Sequence, residues 1–393
     1  MSDFNPELLN PKVQDFIQKN LKTDLTKIIL KGSPLLNISI QEIAIQIDGK
    51  NRIEKKLPTW FKTDGILFPP KVNLEQSSSE ITATYKTKLI NNGDLIDLTG
   101  GFGVDDMAFA DKAKNVFHCE IDANLSAIVA QNAKVLGKSN VKFVIGDSQK
   151  FIEKTHKVAN IYVDPSRRQN SQRVFMLKDC EPNVVENQVL YLKKADKVII
   201  KAAPMLDISA ALKELKRVSE VHIISLNGEC KELIFVLENK EISETKIICA
   251  LINQHQENIF QFNYSEEKSI QNQSFAIQKY LYEPDAAILK GGFFKSLTQK
   301  FDVKKLNPNT HLYTSQEITK NFPGKTFQVI QQIPFNNFSS AKATKKANVV
   351  TRNFDLKPEE IKKQFKIKDG GEDFLFFITD FKEQKQVIWA KKV

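Results

Sequence analysis

The stretch ANIYVDPSRRQN, residues 159–170, sets a carboxylate, a proline, a hydroxyl and two guanidiniums in a row, Asp164 to Arg168, after an apolar run. The end of a strand in an open α/β sheet is where such folds bind their ligands. Arginine can stack on a nucleobase or clamp a phosphate through two parallel hydrogen bonds. Arg167 and Arg168 are therefore candidate substrate contacts, with Arg173 extending the basic strip; the plainer alternative is a solvated loop, RRQNSQR. A second constellation precedes it. In DLIDLTGGFGVDDMAFA (94–110) an apolar run ends at Asp97, passes through Thr99-Gly100-Gly101-Phe102-Gly103 and opens a helical pattern. Glycines let the backbone turn tightly and approach a ligand closely, and the start of a helix favours negative charge. A strand-to-helix turn without a ligand would also use them. Two further apolar runs end on carboxylates, Glu120 and Asp147. Glu120 stands 23 residues after Asp97, where a carboxylate can accept both hydroxyls of a ribose. Asp147 can accept a hydrogen bond from an adenine amine.

These residues need a scaffold, and the chain supplies one. Short apolar runs at 94–98, 115–121, 141–145, 160–164, 197–202, 221–226 and 232–237 alternate with helical patterns at 103–112, 123–136, 148–154, 183–194 and 208–217. Alternating β and α means a doubly wound, mostly parallel sheet. The last two runs are joined by NGECK, a hairpin-like connection. Before this block lies a mostly helical stretch, in which Leu8, Leu9, Val13, Phe16, Ile17 and Leu21 follow a helical period and FPP at 68–70 interrupts it. In SSSEITATYKTKL (77–89) serines offer a helix cap.

A dinucleotide fingerprint starting at Gly101 would need glycine at 106, where the chain has Asp106. The block instead resembles S-adenosylmethionine (SAM)-dependent methyltransferases. By that resemblance Asp97 faces the methionine moiety, Thr99, Gly101 and Gly103 pass beside it, Glu120 takes the ribose and Asp147 the adenine. Amino-group methyltransferases are similar in placing Asp-Pro-Pro-aromatic after the fourth strand. There a carboxylate and a carbonyl accept the two amine hydrogens and aim the nitrogen lone pair at the methyl group. Asp164 and the carbonyl of Pro165 match this pair; Ser166 and Arg167 depart from the pattern. DPSR also resembles the uracil-C5 enzymes, which need a cysteine after the fifth strand. KVIIKAAPMLD (197–207) has none, which excludes that chemistry. Lys201 and Asp207 are placed at the pocket mouth, Lys201 either as a phosphate contact or as a solvated strand-end lysine.

Over nearly its whole length the chain resembles the bacterial class I SAM-dependent methyltransferases that carry a ferredoxin-like insert and a C-terminal THUMP-like domain. KLPTW, GILFPP and LEQSSSEITATYK resemble the family's opening segment, YLYEPDAAILKGGFF its insert, and residues 345–377 its tail. DPSRR fits that family better than either class above. The resemblance implies that Gln76 and Ser78 help close the SAM pocket. The fold class expected is α/β: a Rossmann-like seven-stranded methyltransferase sheet with an N-terminal helical region and C-terminal α+β (ferredoxin-like and THUMP-like) units. The boundaries expected are 1–87, 88–239, 240–335 and 336–393.

With 393 residues, 57 lysines and arginines and 47 acidic residues, the chain carries a net charge of +10, which favours an anionic partner. No acidic residue occurs from Ile318 to Phe354, while Lys320, Lys325, Lys342, Lys345, Lys346 and Arg352 do. Lysines there suit RNA phosphates; the interleaved Phe322, Phe327, Phe335, Phe338 and Phe354 suit a core. Cys119, Cys180, Cys230 and Cys249 are scattered, as are the five histidines, so no metal is expected. Neither a signal-type start nor a membrane-length apolar run is seen, which points to the cytoplasm. The function expected is methylation of a nucleobase nitrogen in structured RNA, rRNA or tRNA. The alternatives are a protein or metabolite substrate, or a non-catalytic SAM- and RNA-binding protein.

Overall fold

The computed structural model of the chain describes residues 4–33, 35, 37–167, 176–254, 256–271, 273–339 and 344–393. Arg168, Arg173 and Lys342 lie outside the described residues, as does the side chain of Arg167. The chain divides into two compact units, Met1–Ser219 with Ile234–Ile242, and Glu220–Leu233 with Ser243–Val393.

The first unit opens with helices α1 (Pro11–Lys19), α2 (Leu25–Lys31), α3 (Ile40–Ile53), α4 (Pro58–Lys62), α5 (Lys71–Gln76) and α6 (Glu80–Lys86). Local chemistry sets their starts: Asn10 and Asp24 cap α1 and α2, and Ser39 with Glu42 forms a capping box on α3. Of the three serines at 77–79, Ser79 caps α6, its hydroxyl accepting from the N–H of Thr82. Leu8, Val13, Ile17, Ile28, Ile43 and Ile47 meet in one buried cluster, as the helical spacing of the first of them requires.

Next come β1 (Leu95–Asp97), α7 (Val104–Phe109), β2 (Val116–Glu120), α8 (Ala123–Val135), β3 (Val141–Ile145), α9 (Ser148–Lys154) and β4 (Val158–Val163). A short ribbon pairs β5 (Ser166–Arg167) with β6 (Cys180–Glu181). Then follow α10 (Val184–Lys194), β7 (Ala195–Ala202), α11 (Ile208–Glu214), β8 (Val218–Leu226) and β9 (Glu229–Glu238). Every strand and helix expected in this block is present. The order β3-β2-β1-β4-β7 is parallel throughout, and β9 follows β7. The chain winds outward from β1 to β3, then returns to the other side of β1 at β4. That reversal opens a crevice at the carboxyl ends of β1 and β4. The helical region is fastened to this sheet by Asn132 of α8, fully buried, whose amide both accepts from the N–H and donates to the carbonyl of Leu67, each at 2.8 Å.

In the second unit Asn227 and Gly228, both at positive φ, make the turn of the expected hairpin. β8 pairs in parallel with β10 (Lys246–Ile252), whose other edge carries antiparallel β11 (Glu257–Asn263). After α12 (Tyr264–Ser269) come β12 (Tyr280–Pro284), α13 (Ala286–Gly291), α14 (Ser296–Lys300), β13 (Lys304–Lys305), β14 (Tyr313–Ser315), β15 (Gly324–Pro334), β16 (Asn348–Arg352), α15 (Pro358–Phe365), β17 (Asp373–Thr379) and β18 (Lys385–Lys392). Their sheet runs β13-β14-β12-β15-β18-β17-β16. β15 pairs with β12 on one side and β18 on the other, so strands from both expected C-terminal regions share one sheet. Phe322, Phe327 and Phe338 are buried, and Phe335 and Phe354 pack on the cluster that contains Phe338. Among the basic residues, Arg352 and Lys325 pair with Glu283 at 2.7 and 3.4 Å, whereas Lys320, Lys345 and Lys346 are exposed. No helix among the described residues is long and apolar enough to cross a membrane.

Asn132→Ala strands the buried N–H and carbonyl of Leu67. With Trp389→Phe as background, leaving Trp60 to report on the first unit, urea denaturation should show that unit losing about 2–3 kcal/mol.

Candidate active site

A cleft of about 590 Å³ lies at the crevice, lined by the turn after β1, the ends of β2, β3 and β4, and the α5–α6 connection. The turn is packed as tightly as its glycines suggest. A Cβ on Gly100 would lie 2.3 Å from the His118 ring, and Gly103, at φ +72°, would bring one within 2.4 Å of Val129. Phe102, between them, inserts into the helical region against Trp60 and Phe68.

Asp97 is buried at the base of the turn, where its Oδ1 accepts from the Thr99 N–H at 2.8 Å and the Thr99 hydroxyl at 3.1 Å. The same Thr99 Oγ1 accepts from the N–H of Asp164 at 2.7 Å, so one hydroxyl ties the ends of β1 and β4 together. Glu120 accepts from the N–H groups of Gly101 and Asp122, one on each oxygen. Asp147 caps α9 through Gln149 N–H and stays exposed at the rim. Asp164 has a side chain one-third exposed to the cleft and is bonded by Lys201 Nζ at 2.5 Å. Burial raises its pKa, and Lys201 opposes the rise.

Gln76, Ser78, Asp97, Thr99, Gly101, Gly103, Glu120, Asp147, Asp164 and Lys201 thus all border one cleft, although they come from elements and turns far apart in the chain. Pro165 follows Asp164 but is not among the lining residues; Asp207 is not either. Asp207 Oδ1 instead accepts from the Ala210 N–H as the cap of α11, which fixes the carboxylate on its own helix. Arg167 and Arg168, expected as substrate contacts, fall where side chains are not described.

Behind the cleft is a group of ionisable side chains that the sequence reading did not single out. Lys86 is fully buried; its Nζ donates to Ser78 Oγ at 2.8 Å and faces Asp105 Oδ1 at 3.1 Å. Asp105 Oδ2 accepts from Ser78 Oγ at 2.9 Å and from Tyr162 OH at 2.7 Å. Burial, the largest effect, would raise the Asp105 pKa, yet Lys86 and Lys201 hold it below the ordinary carboxylate value. On the other side of the turn Asp106, also fully buried, meets His118 Nδ1 at 2.6 Å. Burial pushes the Asp106 carboxyl up to about 8 and holds the imidazole below its ordinary value. Asp97, next to them, is raised well above its ordinary value, first by burial and then by Asp106.

Among the described residues lining the cleft, Asp105 Oδ1 and Gln149 Oε1 are buried acceptors without a hydrogen bond, Asp105 Oδ1 lying 3.1 Å from Lys86 Nζ as an ion pair. One lies towards β4 through Tyr162, the other just after β3. SAM offers a donor at each of its ends, an α-ammonium and an adenine amine, so the residues present fit it. Ile121, exposed at the rim beside Glu120, adds the apolar surface a flat ring needs.

Residues 280–323 match the family described as a ferredoxin-like domain, and residues 324–392 the one described as THUMP domain-like. The crystal structure of a provisionally assigned methyltransferase from Porphyromonas gingivalis W83 is 31% identical, covers 100% of both chains and superposes with a TM-score of 0.88. The chain belongs to the bacterial class I SAM-dependent methyltransferases with a ferredoxin-like insert and a THUMP-like domain. An uncharacterised SAM-dependent methyltransferase of Mycobacterium tuberculosis, in strains H37Rv and CDC 1551, is 19% identical over 314 residues, 78% of this chain and 82% of that protein.

The buried Asp106 of this methyltransferase makes its stability depend on pH. Between the unfolded carboxyl value near 4 and about 8, the folded state holds a proton that the unfolded state has lost, so stability falls as pH rises. Asp106→Asn removes that dependence, while the opposite contribution of neutral His118 is common to both proteins. Unfolding free energies measured from pH 5 to 9 should therefore move in favour of the variant up to pH 8 and level off above it.

Proposed function

We propose that this chain is a cytoplasmic methyltransferase that binds SAM in the cleft and methylates a nucleobase nitrogen of structured RNA. When bound, SAM supplies an electrophilic methyl group on a sulfonium. The chain's own residues do the rest. The Asp97–Thr99 bonds hold the glycine turn, Gly101 and Gly103 line it, and Gln76 and Ser78 close one wall. Glu120 has lone pairs left for a ribose diol after its two backbone bonds, and Asp147 with Gln149 stands ready for an adenine amine.

The observation that carries the transfer step is the pinned end of β4. The Asp164 N–H is fixed by Thr99 Oγ1, and its carboxylate opens to the cleft beside Lys201. Asp164 and the Pro165 carbonyl would accept the two hydrogens of an exocyclic amine and aim its lone pair; positioning of this kind supplies much of the rate in a direct displacement. Exposed Lys320, Lys345 and Lys346, together with the THUMP-like match, support RNA as the partner. Arg167 and Arg168 would then hold the substrate next to the transfer site.

With tritiated SAM and total RNA from a strain lacking the protein, label should enter an rRNA or tRNA fraction. Asp164→Ala should cut that transfer by at least about 100-fold while leaving SAM affinity nearly unchanged. Label confined to protein or small molecules would refute the RNA assignment. RNA affinity should fall steeply with salt. Replacing Lys320, Lys345 and Lys346 together by alanine should flatten the log–log slope by about 2.

A further inference from the structure

Lys201 is a strand-end lysine that is not solvated. Its side chain is 12% exposed, against 34% for Asp164 beside it, so the ammonium sits deeper than the carboxylate. The sheet makes this pairing. β4 and β7 run parallel with Val163 opposite Ile200, and Asp164 and Lys201 are the next residues along each. They stand about 5 Å apart, the spacing of neighbouring strands, with their side chains on one face. A four-carbon stem then reaches the carboxylate easily, and Lys201 Nζ donates to Asp164 Oδ2 at 2.5 Å.

That bond divides the two oxygens of Asp164. The N–H of Asp164 is taken by Thr99 Oγ1 and its Oδ2 by Lys201, whereas Oδ1 accepts from none of the described residues. A carboxylate left to rotate offers either oxygen in many directions; one gripped through Oδ2 offers Oδ1 in one direction, which is what positioning requires. Charge state matters as much, because a protonated carboxyl presents an O–H where an amine needs an acceptor. Lys201 on β7, Asp105 on α7 and Lys86 on α6 are the charged groups that act on Asp164. Burial, the largest effect, and Asp105 favour the proton; the two lysines oppose it, Lys201 the more strongly.

We infer that Lys201 is a positioning residue for the transfer step: it holds one oxygen of Asp164 so that the other faces the cleft as an ionised acceptor for the substrate's amine. The inference rests on the reading of Asp164 as that acceptor. Lys201 itself touches no reacting atom and acts through Asp164.

Two measurements test it, and they let the inference and the RNA reading fail separately. The first needs no substrate. Full-length protein carrying carbon-13 at its aspartate carboxyls is titrated by NMR from about pH 4 to 9, with the Asp164 resonance identified by its absence in Asp164→Asn. Lys201→Met should move the Asp164 midpoint to higher pH. Lys201→Gln, which keeps a donor but not the charge, should do the same, and it replaces the methionine variant if a thermal melt shows that one unfolded. A midpoint unchanged or lowered in the folded variant overturns the inference. The second follows the initial rate of transfer from tritiated SAM to total RNA of a strain lacking the protein, over the same pH range. An acceptor that must be ionised is lost as pH falls through its pKa, so raising that pKa moves the acid limb of the profile upward. Lys201→Met should lose about tenfold in rate at the acid end and less at the alkaline end, with S-adenosylhomocysteine affinity by calorimetry within about threefold of wild type. A lysine with a merely structural role would lower the rate alike at every pH; that profile, or an unchanged rate, overturns the inference. Wild-type protein that labels no RNA refutes the RNA reading, and the carboxyl titration then decides the inference by itself.

Discussion

The site depends on a lysine that never reaches water. Lys86 closes α6, and burying its ammonium is tolerable because partners that include Ser78 and Asp105 meet it. Those partners belong to the α5–α6 connection and to the helix after the glycine turn. The helical region must therefore dock on the sheet before either its own lysine or the cleft's Asp105 is compensated. Two further contacts enforce the same docking: Phe102 of the turn inserted against Trp60 and Phe68, and the Asn132 amide closed on Leu67. What looks like an N-terminal extension is one wall of the site.

The sheet adds a second constraint. Reversal of strand order between β1 and β4 leaves two strand ends side by side, and Thr99 converts that proximity into a fixed relation by accepting from the Asp164 N–H while donating to Asp97. Side chains two apart on a strand share a face, so Tyr162 and Asp164 both turn toward the turn after β1. The result is a division of labour among acidic residues. Asp97 and Asp106 sit deep, with pKa values raised by burial, and hold the loop; Glu120, Asp147 and Asp164 are accessible.

How much of this is legible in the sequence follows from the range of the interactions. Strand and helix alternation, the glycine turn and the carboxylates at strand ends are local, and each is found where its spacing puts it. The buried cluster is not local. Ser78 reaches Asp105 across 27 positions and Tyr162 reaches it across 57. In TATYKTKL, Lys86 has the look of a solvated helix residue, and Asp105-Asp106 the look of acids favouring a helix start. Asp207 shows the reverse effect: near the fifth strand it looks like a pocket residue, but an aspartate just before a helix is first of all a cap. In the C-terminal half, β15 joins strands from both sides of an expected boundary, because pairing partners there are set by sheet order rather than by nearness in the chain.

The same distinction bears on the substrate. A run without acidic residues suggests a basic surface, yet Glu283, which lies far upstream, neutralises two of its cations within the fold. Charge along the chain therefore overstates the field an RNA would meet in the second unit, and the proposed transfer site becomes the more telling feature. There Asp164 accepts and Lys201 donates side by side. An exocyclic amine next to a ring nitrogen offers the complementary donor and lone pair on one rigid plane. A protein lysine would first have to give up its proton beside the Lys201 ammonium, whose own charge is paired with Asp164. On the proposed transfer at the end of β4, the Asp164–Lys201 pair would suit a flat, neutral amine better than an aliphatic one.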